Sequence, residues 1–338
     1  MKERTVFAIA VITVALLAAG FWVAQNVNLM PAEGSSRAAL VDQLFRAMLG
    51  MAAVVFLLVE GLLLYSVLRF RRPRGDDTDA VAVHGNRALE IVWTLIPALI
   101  VVVIGFYSFR VLAASETRDA DPLVVNVHSR QFSWTFEYPA AGVTSTDLHL
   151  PVGRQVRFLI TSDDVIHSFW VPEFRVKRDA TPGQLAELLV TPTLLGTYAV
   201  RCAELCGVGH ASMGLTSQVY VVSEADFQTW LEAQAGLPSD PIAAGRLLMG
   251  RYGCSGCHTL ADAGALGVVG PALDPLSDPA VQAGLHGGDL RAYVEQSIVD
   301  PSAVVVQGFI DGLMPADLGT RIPAGELAIL VDYLVAQK

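Results

Sequence analysis

Cys202-Ala203-Glu204-Leu205-Cys206-Gly207-Val208-Gly209-His210-Ala211-Ser212-Met213 places two thiols, an imidazole and a thioether within twelve residues. Such soft donors favour copper, and a thioether is a poor ligand for zinc. One thiolate with imidazoles and a weak methionine would make a mononuclear blue-copper site. The second cysteine, four positions from the first, lets two sulfurs bridge two metals. That centre needs another imidazole. His167, in Asp164-Val165-Ile166-His167-Ser168-Phe169-Trp170, stands 35 residues before Cys202 and is the candidate. The cysteine pair alone would also fit a disulfide or a zinc knuckle. His210, Met213 and the upstream histidine on a β scaffold turn the reading towards copper.

The scaffold is read from the flanks. Leu123–Val127, Gln155–Ile160, Gly196–Arg201 and Thr216–Val222 combine alternation with β-branched and aromatic residues, separated by turn signals such as Pro151-Val152-Gly153 and Thr181-Pro182-Gly183. Short strands at this spacing predict a sandwich or small barrel over residues 122–222.

Upstream the composition changes. The chain has 338 residues, 53% hydrophobic and 17% charged, with a formal net charge of −10; its mean hydropathy is +0.47. Soluble domains carry about 25% charged residues, so a wholly soluble or disordered chain is excluded. The 33 acidic and 23 basic residues equally exclude a chain wholly within lipid. Residues 91–109 form 19 uncharged positions between Glu90 and Arg110, and residues 47–68 form 22 interrupted only by Glu60. Each is long enough to cross, or nearly cross, a hydrocarbon core of about 30 Å. The loop between them holds Arg69, Arg71, Arg72, Arg74 and Arg87, so it is cytoplasmic by the positive-inside rule. A transmembrane hairpin over residues 40–113 then leaves everything after residue 113 exported. Residues 1–25 fit either a signal peptide, with Ala18-Ala19-Gly20 as a cleavage site, or an extra transmembrane helix. Glu60, near mid-membrane, reads as a carboxyl bonded to a neighbouring subunit or as a proton-handling group.

Downstream, Ser223 caps a helix ending near Ala235, residues 236–241 form a hinge, and Asp240-Pro241 opens another helix. Cys254-Ser255-Gly256-Cys257-His258 is the pattern for covalent c-type haem attachment: Cys254 and Cys257 carry the thioethers and His258 binds iron. Met314, in Gly312-Leu313-Met314-Pro315 and 56 residues after His258, is the expected second axial ligand. Met249 reads as core, and His286 is a rival ligand. All four cysteines are thereby assigned to cofactors and none to a disulfide.

With these residues in place, residues 40–235 resemble subunit II of the haem-copper cytochrome c oxidases. Leu89-Glu90-Ile91-Val92-Trp93-Thr94-Leu95-Ile96-Pro97, Asp164-Val165-Ile166-His167-Ser168, Lys177-Arg178-Asp179-Ala180-Thr181-Pro182-Gly183 and the Cys202 to Met213 loop carry the likeness. Residues 241–338, including Gly270-Pro271-Ala272-Leu273, resemble a small class I cytochrome c, so the whole is similar to the caa-type subunit II. The resemblance implies a multidomain chain: the transmembrane α-helical hairpin, an all-β cupredoxin sandwich over 114–235, and an all-α cytochrome c domain over 242–338. It implies a binuclear CuA centre bridged by Cys202 and Cys206, with one copper each on His167 and His210, and with Met213 and the Glu204 carbonyl as weak ligands. The Glu204 carboxylate would reach a magnesium or manganese ion at the subunit I boundary, and Glu90 would stand at the mouth of a proton pathway or, on physical grounds alone, anchor the interface. The family's first tryptophan, where electrons arrive, is replaced here: Gln131-Phe132-Ser133-Trp134 offers Phe132 or Trp134.

The implied role is electron delivery, with no catalytic residue in this chain. Subunit I and subunit III, a soluble cytochrome c or membrane-bound donor complex, and membrane lipid are the implied partners, and no nucleic acid is expected. The location implied is a bacterial inner membrane, multi-pass, with both redox domains on the periplasmic face. A CuA-bearing subunit of a nitric oxide reductase and a copper-delivery protein remain as alternatives. Residues 114–240 carry 8 basic against 15 acidic residues and residues 241–338 carry 5 against 10. Two acidic domains should not steer together by charge. The hinge is therefore expected to supply encounter, and apolar patches the contact.

Overall fold

The computed structural model describes residues 2–72, 75, 85–277 and 289–337; Arg74 and His286 lie outside them. The chain divides into two compact units, Met1–Pro31 with Ala38–Thr117, and Ala32–Arg37 with everything from Arg118 on.

The first unit holds α1 (Lys2–Asn26), α2 (Ser36–Arg69) and α3 (Arg87–Ser115), all long and apolar enough to cross a membrane. Their outward faces carry Leu57, Leu63, Ile91 and Val101, as expected of helices solvated by lipid. Asn86 caps α3, its side-chain oxygen accepting the N–H groups of Ala88 and Leu89 at 3.1 and 3.3 Å. α1 meets α2 at two glycines. A Cβ on Gly20 would lie 2.7 Å from the Gly50 carbonyl oxygen, and one on Gly50 would lie 2.9 Å from that of Gly20. Small residues at helix crossings allow this approach within a membrane.

In the second unit, β1 (Leu123–Arg130), β2 (Ser133–Tyr138), β3 (Val143–Ser145), β4 (Leu148–Pro151) and β5 (Val156–Ser162) precede β6 (His167–Val171), β7 (Val176–Ala180) and β8 (Ala186–Val190). β9 (Gly196–Ala199), β10 (Arg201–Cys202) and β11 (Gln218–Val222) complete the fold. The largest sheet runs β3-β2-β1-β5-β8, flanked by β10-β6-β7 and β4-β11-β9. β1 and β5 pair in parallel, Val125 opposite Phe158 and Val127 opposite Ile160. Alternate residues of β1, β2 and β5 point inward, so Val125, Val127, Trp134, Phe136, Phe158 and Ile160 join Phe169 and Phe174 in one core. Burying each such side chain contributes about 1.5–3 kcal/mol before entropy is charged against it.

Two details depart from the sequence reading. The strand expected over Thr216–Val222 begins at Gln218, because Met213–Thr216 forms a helical turn, α4, that closes the cysteine loop. Residues 32–37, which lie outside the expected β domain of 114–235, add to it: Ser35 bridges Pro192, and the Gly34 N–H donates to the Glu173 carbonyl at 2.8 Å.

Past β11, α5 (Glu224–Ala235) packs Phe227 and Trp230 onto the sandwich. α6 (Pro241–Arg251), α7 (Leu290–Val299), α8 (Leu318–Arg321) and α9 (Ala324–Val335) build a second core around Leu248, Met249, Ile298, Leu330 and Val331. Gly245 lets α6 and α9 meet closely, since a Cβ there would sit 2.1 Å from that of Tyr333. Met249 is fully buried core, as the sequence suggests.

Candidate functional site

The antiparallel pairing of β10 with β6 sets Cys202 opposite Phe169, and the Ala203 N–H donates to the Ser168 carbonyl at 2.9 Å. This ladder brings His167 beside the cysteine loop. The Sγ atoms of Cys202 and Cys206 lie 3.9 Å apart. His167 Nδ1 stands 3.8 Å from Cys202 Sγ, and His210 Nδ1 stands 3.5 Å from Cys206 Sγ. Met213 Sδ is 3.5 Å from Cys206 Sγ, and the Glu204 carbonyl oxygen is 3.1 Å from Cys202 Sγ. His167, Cys202 and Cys206 form a buried group able to hold a metal ion. All six sequence-predicted ligands therefore converge. Cys202, Cys206, His167 and Met213 are buried, while the Glu204 side chain is exposed.

Asp164, which the sequence reading did not single out, orients His167. Its Oδ1 accepts from His167 Nε2 at 2.9 Å, while its Oδ2 accepts the Gln131 N–H at 2.7 Å. Asp164 holds a proton on His167 Nε2, so that Nδ1, which faces the sulfur, would be the nitrogen given up to a metal, the carboxylate–histidine arrangement typical of metal sites. Asp179 supports the adjacent residue by accepting from Ser168 Oγ at 2.7 Å. Burial disfavours the His167 imidazolium, but the bonds to Asp164 and Cys202 outweigh it and raise its pKa to about 9. Between the two thiols, a hydrogen bond from Cys206 pulls the Cys202 pKa down and pushes that of Cys206 up. Paired soft sulfurs, two imidazoles and a thioether suit two copper ions.

In the helical domain a cavity of about 420 Å³ is lined by Cys254, Cys257, His258 and Met314, with apolar walls including Leu273 and Ile298. His258 Nδ1 donates to the Pro271 carbonyl at 2.7 Å, which leaves Nε2 free for a metal. Burial lowers the His258 pKa against that bond, favouring the neutral, ligating imidazole. Burial also raises the Cys254 thiol to about 12. Gly270 lies against the imidazole, where a Cβ would be 2.6 Å from Cε1. Two thiols, an imidazole and a thioether on the wall of an apolar cavity fit a covalently attached haem.

Phe132 and Trp134, expected where electrons arrive, are both fully buried. Trp134 packs edge-on to His167 and Phe169, with ring centroids 6.1 and 5.7 Å away. Phe132 lies between the Cys202–Met213 and Cys254–His258 loops. A Cβ on Gly209 would fall 2.5 Å from the Phe132 ring and 2.6 Å from a Val269 methyl across the domain boundary. A Cβ on Gly256, between the haem-motif cysteines, would fall 2.6 Å from that of Ser133. The Phe132 backbone hydrogen-bonds the Cys257 thiol, and Gln131 Nε2 donates to the Cys206 carbonyl. Glu90 occupies the first turn of α3, and Glu60 is half-buried on α2.

Two family profiles match: "Cytochrome C oxidase subunit II, transmembrane domain" over residues 22–111, and "Cytochrome C oxidase subunit II, periplasmic domain" over residues 143–220. The cytochrome c oxidase subunit 2 of Thermostichus vulcanus is 35% identical over 275 residues, covering 66% of this chain and 83% of the relative. That of Alkalihalophilus pseudofirmus is 30% identical over 328 residues, covering 93% of this chain and 92% of the relative. Among solved structures, the periplasmic domain of subunit II of a Bradyrhizobium japonicum cytochrome oxidase is 30% identical, covering 35% of this chain and 95% of that one, with a TM-score of 0.33.

Proposed function

The chain belongs to the cytochrome c oxidase subunit II family, and from that premise we propose that it relays electrons from a donor, by way of a c-type haem and a binuclear copper site, to the subunit that reduces oxygen. It is part of a haem-copper terminal oxidase, a membrane protein with a periplasmic domain that partners subunit I. The observation that carries the relay is the pair of sulfurs 3.9 Å apart, each faced by an imidazole Nδ1.

When bound, copper and haem iron supply one-electron acceptor and donor sites. Cys202, Cys206, His167, His210, Met213 and the Glu204 carbonyl would together hold two coppers. Burial of the sulfurs keeps water from the metals, and Asp164 fixes the His167 ring without touching copper. Cys254 and Cys257 would carry the haem, and His258 and Met314 would bind its iron. Phe132 excludes water from the gap between the loops, so that electrons would arrive from the chain's own haem domain. The likeness to the Alkalihalophilus pseudofirmus protein covers 93% of this chain and so reaches into the helical domain, which supports the fused, caa-type arrangement.

The remaining parts of the reading follow from position. The exposed Glu204 carboxylate is available to magnesium or manganese at the subunit I boundary, and Glu90 to a proton path. Subunit III, lipid, and a soluble or membrane-bound donor would complete the setting in the bacterial inner membrane. The terminal substrate is oxygen rather than nitric oxide, in keeping with the relatives' names. α1 is retained as a third span, because its Gly20 makes the close crossing with Gly50. The intact mass of the mature chain checks this last point, and loss of residues 1–20 would overturn it.

Optical and electron paramagnetic resonance spectra of the purified protein test the relay. A mixed-valence dicopper signal that vanishes in Cys206→Ser, beside a c-type haem band that survives, is the expected outcome. A lone blue-copper signal would overturn the binuclear assignment.

A further inference from the structure

The two acidic domains meet across a line of alternating charge. On the β side, Asp163 Oδ1 lies 3.5 Å from His128 Nδ1 and its Oδ2 lies 3.8 Å from Arg130 Nη2. Arg130 then crosses the boundary: its Nη1 donates to Asp317 Oδ1 at 3.3 Å. On the helical side, Asp317 Oδ2 lies 3.8 Å from Arg321 Nη1. His128, Arg130, Asp163 and Arg321 also line the cavity that holds Cys254, Cys257 and His258. Arg130 ends β1, directly before the Gln131–Ser133 turn against which Gly209 and Gly256 both close.

We propose that Arg130, through Asp317, is the latch that docks the helical domain onto the β1–β2 turn and so fixes the haem cavity against the copper loop. This rests on the relay proposed above and adds to it what holds the two centres together. Arg130 is a positioning residue: it stands on the wall of the cavity but is not one of the proposed metal ligands. The net charges of the domains oppose association, so a specific local pair has to select the docked position over the other positions the hinge permits. The pair is part-exposed, with side-chain exposures of 28% and 47%. An exposed pair contributes modestly and is screened by salt. The contact is thus firm enough to bias the docked state and weak enough to open, and in the docked state the Phe132–Ser133 turn covers the Cys254–Cys257 side of the cavity. Contact through apolar patches alone, expected from net charge, is corrected here: Phe132 and Val269 provide an apolar contact, but a charge pair stands beside it.

Hydrogen exchange in the full chain within the assembled oxidase tests the latch. Two segments are followed, Gln131–Ser133 in the β domain and Gly253–Cys257 in the helical domain. Arg130→Gln should speed exchange in both segments about threefold to tenfold, Asp317→Asn should do the same, and the double variant should add nothing further. Arg130→Lys should stay near the parent. Raising salt from about 50 mM to about 500 mM should bring the parent to the level of the variants and leave the variants unchanged. A purely local structural role would speed only the segment in the mutated domain, and that result overturns the proposal. Additive effects in the double variant, or a salt-indifferent parent, also overturn it. The haem band and copper signal recorded on the same samples separate the two readings. Their presence with unchanged exchange defeats the latch alone, and their absence defeats the relay and the latch together.

Discussion

The cysteine pocket proposed for copper and the cavity proposed for haem solve opposite packing problems in one chain. The pocket is filled by protein: its sulfurs and imidazoles already lie within 3.5–3.9 Å of one another, set by the β6–β10 ladder and by Asp164. The helical domain, with His128, Arg130 and Ser133 of the β domain along one side, instead bounds a space of about 420 Å³, with Cys254, Cys257 and His258 in one stretch and Met314 in a distant one. A core completed by side chains can form before its metal arrives. A core completed by a cofactor cannot, because interiors are close-packed and a large void forfeits dispersion and transfer energy.

The largest test of this contrast removes the haem anchors. Without a cofactor the part-open space of about 420 Å³ leaves its apolar walls facing water instead of a packing partner. The chain carrying Cys254→Ser and Cys257→Ser should therefore lose the cooperative melting of residues 241–337, while the β domain melts within a few degrees of the parent. Calorimetry reads both transitions. A haem-free helical domain that still melts cooperatively at the parent temperature would break the contrast.

The next effect sits in the β domain alone. His149 is stacked between Tyr220 and Trp230, ring centroids 4.7 and 4.1 Å away, and its buried Nδ1 has no hydrogen-bond partner. Burial, partly offset by a hydrogen bond from the ring to the Asp147 backbone, lowers its pKa to about 4. The folded pKa is below the unfolded value of about 6.5, so the unfolded state binds the proton first on acidification. Stability is fully present above about pH 6.5 and falls by about 2–3 kcal/mol as the pH drops to about 4, below which it levels off. Asp147, whose pKa is raised by its own burial, works in the other direction in acid. The difference between the parent and His149→Phe isolates the histidine. Urea titrations at pH 7 and about pH 4.5 should show most of the acid loss disappearing in the variant.

Asp164→Asn probes how much of the copper pocket is preorganised. The amide has one acceptor oxygen and no charge to serve the two donors His167 Nε2 and the Gln131 N–H, so the hold on the ring's tautomer and its Nδ1 aim weakens. Orienting partners of this kind are worth about 10- to 100-fold in metal affinity. Copper titration should show a loss in that range with the haem band unchanged. An unaltered affinity would mean that the β6–β10 ladder suffices to aim the imidazole.

These sites were not equally legible in the sequence. The Cys202–Met213 loop and Cys254–His258 announce themselves because their ligands are contiguous, and loop spacing is a local property. The caps at Ser223 and Asp240 were readable for the same reason. Asp164 lay inside a quoted motif, yet its role depends on the distant Gln131 and His167, and no periodicity encodes that. The addition of residues 32–37 to the sandwich and the parallel β1–β5 pairing are likewise long-range. Net charge misled about the domain contact because a sum over a domain erases one arginine facing one aspartate. Phe132 resembled an exposed acceptor only while the partner surface within the same chain was out of view.

The smallest effect asks whether the two cores share one fate. Ser223 Oγ accepts the Asp226 N–H at 3.1 Å and caps α5, which packs on the sandwich. Asp240 Oδ2 accepts the Ala243 N–H at 2.8 Å and caps α6, which belongs to the helical core. Each cap is worth about 1 kcal/mol, or about 4–8 °C in the melting of a domain of this size. If the screened charge pair and the contacts of the Phe132–Ser133 turn with the helical domain are individually weak, the coupling between the domains is smaller than either domain's own stability. Ser223→Ala should then lower only the β transition and Asp240→Ala only the helical one in the haem-loaded chain. A common shift of one merged transition by both variants would mean that docking fuses the two cores into a single cooperative body. In that case the haem, though held by the helical domain, would help to stabilise the copper domain as well, and the separation of a protein-filled from a cofactor-filled core would hold for geometry but not for folding.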